Sequence, residues 1–388
     1  MSRLRVLMIS YSCVVDTYRK LLEHLGAAEE LECSLLVPEH WHQAGREVYL
    51  DAVRADNYRI FARQPFDFYF KKNSFRNVFH YYPGLEAVIR ESRADIIDIW
   101  GEPFFLLAYH TLKLRNRKFR DIKVNVFSAQ NIYKDYLPPV RWFENFSLKN
   151  VDYATPVCAG ALEVMKKKGL AAQAKVIGMG VDTSLFRLLD ASPKKRELGL
   201  SGSFVIGYAG KMLAEKGIFD LIDAVSLLKH RKYRDVKLLM IGQGNTAGLL
   251  SYAAEKGLKD SMVLCGGLLH NEIPLYYNSM DCLVVPSKTM KYWKEQFGRV
   301  IVEAMACGLP VIGSSSGEIP FTVGDAGLIF QEGSAEELAE KLSFLYENPS
   351  ALKAFREKGQ KRVEDNFTYS VLAEERRKVY GIMAGGRD

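Results

Sequence analysis

Between Phe204 and Phe330 six short apolar runs follow one another, at Phe204–Ala209, Val236–Ile241, Met262–Cys265, Cys282–Pro286, Val311–Gly313 and Gly327–Phe330. Stretches with helical spacing lie between and after them, near Gly217–Lys229, Thr246–Lys256, Ile273–Ser279 and Ala335–Asn348. Strands that alternate with helices argue for a parallel sheet with helices on its faces. The first half carries the same theme less cleanly. Strands are expected at Arg5–Ser10, Glu32–Val37, Ile96–Trp100 and Val124–Ser128, with helices near Thr17–Leu25 and Pro103–Leu114.

A chain of 388 residues exceeds what one hydrophobic core usually supports. Two α/β, Rossmann-like, doubly wound domains are therefore expected, over 1–182 and 203–368. The junction falls between Asp182 and Ser203, where the polar stretch SPKKRELGLSGS precedes FVIGYAG. Two such halves leave a cleft faced by the carboxyl ends of their strands. No repeat of solenoid length and no low-complexity tract is visible.

Hydrophobic content of 48% and charged content of 26% belong to a globular chain. No run reaches the apolar length of a membrane span, and MSRLRVLMISYS reads as a first buried strand rather than a signal peptide. The six cysteines are scattered without a C-x-x-C pair, which suggests free thiols in a reducing compartment rather than a metal or disulfide framework. A net charge of +7 favours anionic ligands or an acidic membrane surface, and gives no indication of nucleic acid.

The stretch Glu295–Val311, EQFGRVIVEAMACGLPV, places two glutamates eight residues apart. An apolar helical run follows the first, and Gly308 and Pro310 end it. Glu295 should sit on the loop entering that helix and Glu303 on the helix itself, roughly 10 Å or more apart. That separation suits two ends of one extended ligand. A second element, Gly207-Tyr208-Ala209-Gly210-Lys211 followed by Lys216-Gly217, delivers two lysines to the end of a strand where a helix begins. Cations beside a helix N-terminus make a diphosphate site.

Together these stretches resemble the E-x7-E signature and the lysine-bearing glycine loop of retaining glycosyltransferases of family 4, which have the GT-B fold. Gly180-Val181-Asp182, Gly242-Gln243-Gly244, the run Val263–Leu268 and the run Asp281–Ser287 extend the resemblance over most of the second half. Where the family usually has Arg, this chain has Lys211, which keeps the charge without the bidentate fork.

The resemblance implies that Glu303 binds the ribose of a nucleotide donor and that Glu295 holds donor-sugar hydroxyls. Backbone amides near Phe297, Gly298 and Arg299 would assist Glu295. Lys211 and Lys216, beside Gly210, would neutralise the diphosphate, and backbone near Leu268 would hold the base. It also implies no cofactor and no metal, the co-substrate being a nucleoside-diphosphate sugar, UDP-linked ahead of GDP-linked. Residues 369–388 would cross back as a helix to the first domain.

The first half departs from the family. Ser12–Asp16 stands in place of a glycine pair, and Gln130 or Asn131 stands where relatives carry His. Either amide can bind a hydroxyl, and neither is a general base. Glu102, in WGEPFF, has two readings, an acceptor-side carboxylate or a helix-start carboxylate before Pro103. His110 and His270 read as ordinary helix or loop residues, and Lys166–Gly169 as a solvated helix end. Residues Tyr58–Arg90 are rich in aromatic and basic side chains. They pack within the domain or meet a lipid-linked sugar acceptor or anionic bilayer.

The expected function is metal-independent sugar transfer to a sugar or lipid-linked hydroxyl acceptor in cell-surface polysaccharide or glycolipid synthesis. The expected location is the cytoplasm, with peripheral contact at the inner membrane face. A phosphorylase or synthase of the same fold, or an inactive nucleotide-sugar-binding partner, are the alternatives. A dehydrogenase is excluded by the missing G-x-G-x-x-G after the first strand. A glycosidase fits poorly, because its carboxylates would flank a single bond.

Overall fold

The structure, a computed structural model, describes residues 3–43, 46–51, 56–67 and 77–385. The chain divides into two compact units, Met1–Gly178 with Tyr369–Asp388, and Met179–Thr368.

The first unit is built on strands β1 (Leu4–Ile9), β2 (Leu31–Val37), β3 (Tyr58–Ala62), β4 (Ile96–Ile99), β5 (Lys123–Ser128), β6 (Tyr153–Pro156) and β7 (Gln173–Ala174). Their spatial order is β7-β6-β5-β4-β1-β2-β3, with every pairing parallel. Helices α1 (Lys20–Gly26), α2 (Leu85–Ser92), α3 (Leu106–Lys118), α4 (Val140–Asn150) and α5 (Ala159–Lys167) connect them. Leu7, Met8 and Ile9 of the interior strand β1 are fully buried, as a strand covered on both faces requires.

The helix expected at Thr17–Leu25 is shorter. Two 3-10 turns, Ser12–Val14 and Asp16–Arg19, precede α1. Arg19 is buried there and donates from Nη1 to the carbonyls of Cys13 (3.0 Å) and Val14 (3.2 Å). A guanidinium consuming those two acceptors holds the turn apart from a regular helix.

The second unit repeats the architecture with β8 (Phe204–Ala209), β9 (Val236–Ile241), β10 (Met262–Cys265), β11 (Cys282–Val285), β12 (Val311–Ser314) and β13 (Gly327–Phe330), in the order β10-β9-β8-β11-β12-β13. Its helices are α6 (Ser192–Glu197), α7 (Ile218–Arg231), α8 (Thr246–Glu255), α9 (Ile273–Tyr277), α10 (Arg299–Ala306), α11 (Ile319–Val323), α12 (Ala335–Glu347) and α13 (Pro349–Asn366). The polar stretch between Asp182 and Ser203 is no free linker. The Leu189 amide donates to Asn278 Oδ1 at 2.9 Å, and Lys195 of α6 meets Asp281 at 3.4 Å, which binds the stretch to the second unit.

The C-terminal helix, Tyr369–Met383, belongs to the first unit. Leu372, Val379 and Tyr380 join the cluster that contains Leu21, Leu22 and Leu25 of α1. Beneath it, fully buried Asp98 of β4 is ringed by donors: Arg376 Nη1, the Tyr380 hydroxyl at 2.6 Å and Asn125 Nδ2 at 2.7 Å. Asn125 reaches on to Thr155 at 2.9 Å. Among the described residues no helix is long and apolar enough to cross a membrane.

Candidate functional site in the second unit

The carboxyl ends of β8 and β11 bring the sequence-singled residues together, and glycine makes the approach possible. A Cβ on Gly242 would lie 1.8 Å from the Gly210 carbonyl oxygen, so the ends of β8 and β9 close up only without one. Gly217 has φ 68° and would meet the Pro286 carbonyl at 1.8 Å. It seats the turn Ala214–Lys216 directly on the end of β11. The Tyr208 hydroxyl donates to the Lys211 carbonyl at 2.7 Å and fixes the bend where β8 ends.

Lys216 Nζ donates to Glu295 Oε2 at 2.9 Å, and Ser287 Oγ donates to the same oxygen at 3.3 Å. The ammonium also lies 4.2 Å from the centre of the Trp293 ring, within cation–π range. Trp293 sits in a tight turn in which its amide and that of Met290 bond each other's carbonyls, at 3.3 and 2.7 Å. Lys211 is exposed. Gly298, with φ 77°, turns the chain into α10. A cavity of about 490 Å³ opens here, lined by Gly210, Lys211, Lys216, Glu295, Gly298 and Arg299 among others.

Leu268, Phe297 and Glu303 do not line that cavity. Phe297 is buried against Phe367, with ring centres 5.6 Å apart, and its carbonyl accepts from Thr322 Oγ1 at 2.6 Å. Leu268 is half-buried on the loop after β10. Glu303 is 4% exposed on α10 and faces Arg299 Nε at 3.1 Å, the Tyr277 hydroxyl at 3.3 Å and His270 Nε2 at 3.5 Å. His270 is therefore part of the Glu303 environment, against its reading as an ordinary loop residue. Sequence reasoning also missed Ser287, Trp293 and Tyr277. The first two had a signal, since both lie between the end of β11 and Glu295.

Comparison with known proteins matches two family models that meet near the junction of the units. Residues 17–185 match Glycosyltransferase Family 4, and residues 191–362 match Glycosyl transferases group 1. The chain belongs to glycosyltransferase family 4. This family 4 chain is 33% identical over 186 residues to the capsular polysaccharide biosynthesis glycosyltransferase CapM of Staphylococcus aureus, the match covering 47% of each chain. The chain thus spans about half the length of the curated relatives it matches.

Among solved structures, sucrose-phosphate synthase from Thermosynechococcus elongatus superposes with a TM-score of 0.72 at 20% identity, covering 99% of this chain and 100% of that one. Anabaena Alr3699/HepE in complex with UDP does so with 0.75 at 16% identity, covering 98% and 100%. These likenesses establish the fold, two Rossmann-like units of the GT-B type.

In the first unit of this family 4 chain, Glu102, Gln130 and Asn131 are brought close together. The Glu102 carboxylate accepts from Ser128 Oγ at 2.6 Å and from the Ala129 amide at 2.8 Å. The Gln130 amide donates to Ser128 Oγ at 3.2 Å, and Gln130 Nε2 donates to the Ile132 carbonyl at 2.7 Å. Asn131 is 4% exposed.

Burial pushes the Glu102 carboxyl up to about 7, against the opposing pull of its two hydrogen bonds. A carboxyl whose pKa is raised on folding binds its proton more tightly in the folded state. Stability should therefore fall as pH rises from the ordinary carboxylate range through 7, by on the order of 3 kcal/mol at most. Denaturant titrations across that window should show the slope, and Glu102→Gln should flatten it.

The lysine run at the end of α5 is only partly solvated. Lys166 and Lys167 are exposed, but the Lys168 side chain is 6% exposed and contacts both oxygens of equally buried Glu144 at 2.8 Å. It also donates to the Lys134 carbonyl at 2.6 Å and lies over the rings of Tyr133 and Tyr136. Glu144→Ala should leave that ammonium buried with ring faces and one carbonyl, destabilising the fold by about 2–3 kcal/mol. Chemical denaturation would measure it.

In the aromatic-rich stretch, Phe61 and Tyr82 are buried and Phe66 is exposed. Phe79 packs edge-on to Phe143, ring centres 6.2 Å apart. Its members between 68 and 76 lie outside the described residues.

Proposed function

We propose that this protein is a retaining glycosyltransferase that moves a sugar from a nucleoside-diphosphate sugar, UDP-linked first, to a hydroxyl acceptor. The observation that carries the reading is the Lys216–Glu295 pair at the mouth of the second-unit cavity, with Lys211 exposed on the same wall. As the bond between the anomeric carbon and the donor phosphate breaks, its electron pair stays on the phosphate oxygen. The acceptor hydroxyl oxygen forms the new bond to the anomeric carbon, and its proton passes to the departing diphosphate oxygen. Preorganised ammonium groups stabilise the charge that grows on the leaving diphosphate. These lysines supply that charge without calling on a metal ion.

Glu295, once released by Lys216, accepts hydrogen bonds from donor-sugar hydroxyls, with amides near Phe297, Gly298 and Arg299 alongside. Glu303 takes the ribose hydroxyls, and backbone near Leu268 takes the base. Glu102 and Gln130 serve the acceptor side. UDP and UDP-glucose complexes of HepE, a protein of the same fold, support the donor class. The names of CapM and of WaaG, a glycosyltransferase involved in lipopolysaccharide biosynthesis, support cell-surface polysaccharide or glycolipid synthesis as the setting.

Calorimetric titration with UDP, GDP and ADP, in chelator, tests the reading. One nucleotide should bind, and Glu303→Ala should weaken it by roughly 1–3 kcal/mol, measured well below the unfolding temperature of the variant. Failure of all three to bind would discard the transferase in favour of the phosphorylase.

A further inference from the structure

Three of the exposed large apolar side chains among the described residues of the first unit gather at the start of α4. Leu137 is 82% exposed, Trp142 63% and Tyr133 51%, and Pro138 and Pro139 between them are exposed as well. The turn that carries them is firmly built. The Arg141 amide bonds the Leu137 carbonyl at 3.2 Å and the Trp142 amide bonds that of Pro139 at 3.0 Å. Phe143 faces inward against Tyr109, ring centres 5.0 Å apart, which leaves its neighbour Trp142 facing out.

From below, the buried Lys168–Glu144 pair grips the Lys134 carbonyl and the faces of Tyr133 and Tyr136. A braced turn therefore holds a tryptophan and a leucine in water, where neither is stabilised.

What surrounds the turn is basic. A cavity of about 310 Å³ opens beside it, lined by Lys134, Arg141, Lys167 and Lys168 against only Asp135 and Glu144. Lys168 is matched by Glu144, and Arg141 meets Asp135 at 3.2 Å in the open. Lys134 and Lys167 remain to face an anion.

An anionic headgroup beside apolar chains satisfies both halves of this surface. Indole and phenol rings settle at the lipid–water boundary, and lysines beside them are drawn to acidic lipid. One helical turn is small for a specific protein interface, but suffices to anchor a peripheral protein when charge assists. We propose that the start of α4 docks onto an anionic phospholipid bilayer, with Leu137 and Trp142 entering the interface and a lipid phosphate held by Lys134 and Lys167. The proposal is independent of the donor chemistry in the second unit.

The test is sedimentation of the full chain with vesicles of phosphatidylcholine alone and of phosphatidylcholine mixed with phosphatidylglycerol. Strong binding is expected only to the mixed vesicles. Lys134→Gln with Lys167→Gln should lower partitioning by about fivefold per charge. Leu137→Ser with Trp142→Ser should lower it by about tenfold or more, with thermal unfolding checking the fold of each variant. Tryptophan emission should shift to the blue on the mixed vesicles, and Trp142→Phe should remove the shift.

Equal binding to both vesicle types, or undiminished binding of either double variant, overturns the proposal. So does a dilution-sensitive dimer that Leu137→Ser with Trp142→Ser dissociates, since a second copy would then cover the turn.

Discussion

Lys216→Ala is expected to slow donor turnover by about 10²–10³-fold, the usual effect of removing one preorganised group from a developing charge. Glu295→Ala should be equally inactive with a sugar donor, yet its effect on bare nucleotide should have the opposite sign. Glu295 occupies the Lys216 ammonium at 2.9 Å, and their side chains are 16% and 25% exposed. A diphosphate held by Lys216, as proposed above, would displace that carboxylate. A partly exposed pair is worth about 1 kcal/mol, so Glu295→Ala should bind nucleoside diphosphate roughly fivefold more tightly. Calorimetry on both variants reads the two signs directly. Weaker nucleotide binding in Glu295→Ala would show that the pair does not compete with the ligand, and the exchange would have to be abandoned.

The second large effect is structural. Asp98→Ala should destabilise the first unit by about 3–5 kcal/mol, because it leaves the Arg376 guanidinium buried without its counter-charge. Arg376 is 2% exposed and Asp98 fully buried. The Tyr380 hydroxyl and Asn125 amide would lose an acceptor at the same time. Asp98→Asn should cost less than alanine, since an amide oxygen still accepts one of these bonds. Urea denaturation of both variants checks the order, and equal stability of wild type and Asp98→Ala would refute it.

Legibility in the sequence follows the range of the interactions involved. In the second unit, Phe204–Ala209, Val236–Ile241, Met262–Cys265 and Gly327–Phe330 are strands over the residues expected from their unbroken apolar runs. The first three are followed directly by glycines, so the loop residues Gly210, Lys211, Lys216 and Glu295 could be placed along one edge. In the first unit β3 lies inside an aromatic-rich stretch, and β6 contains Thr155 and Pro156. Neither reads as a strand by pattern. The 18-residue helix α13, polar along most of its length, was equally silent. Lys168 looked like a solvated helix end because its partner Glu144 lies 24 positions earlier. His270 and Glu303 are likewise joined only by the fold.

The C-terminal helix has a consequence for how the protein is made. Its residues leave the ribosome after the whole of the second unit, whereas the Asp98 carboxylate they neutralise leaves before it. Until they arrive, that carboxylate lacks its guanidinium and the α1 face lacks the cover of Leu372, Val379 and Tyr380. The second unit, whose sequence is continuous, can meanwhile be completed. The first unit is therefore begun before the second and finished after it, and a chain interrupted after Thr368 would present chaperones with an open apolar seam along α1.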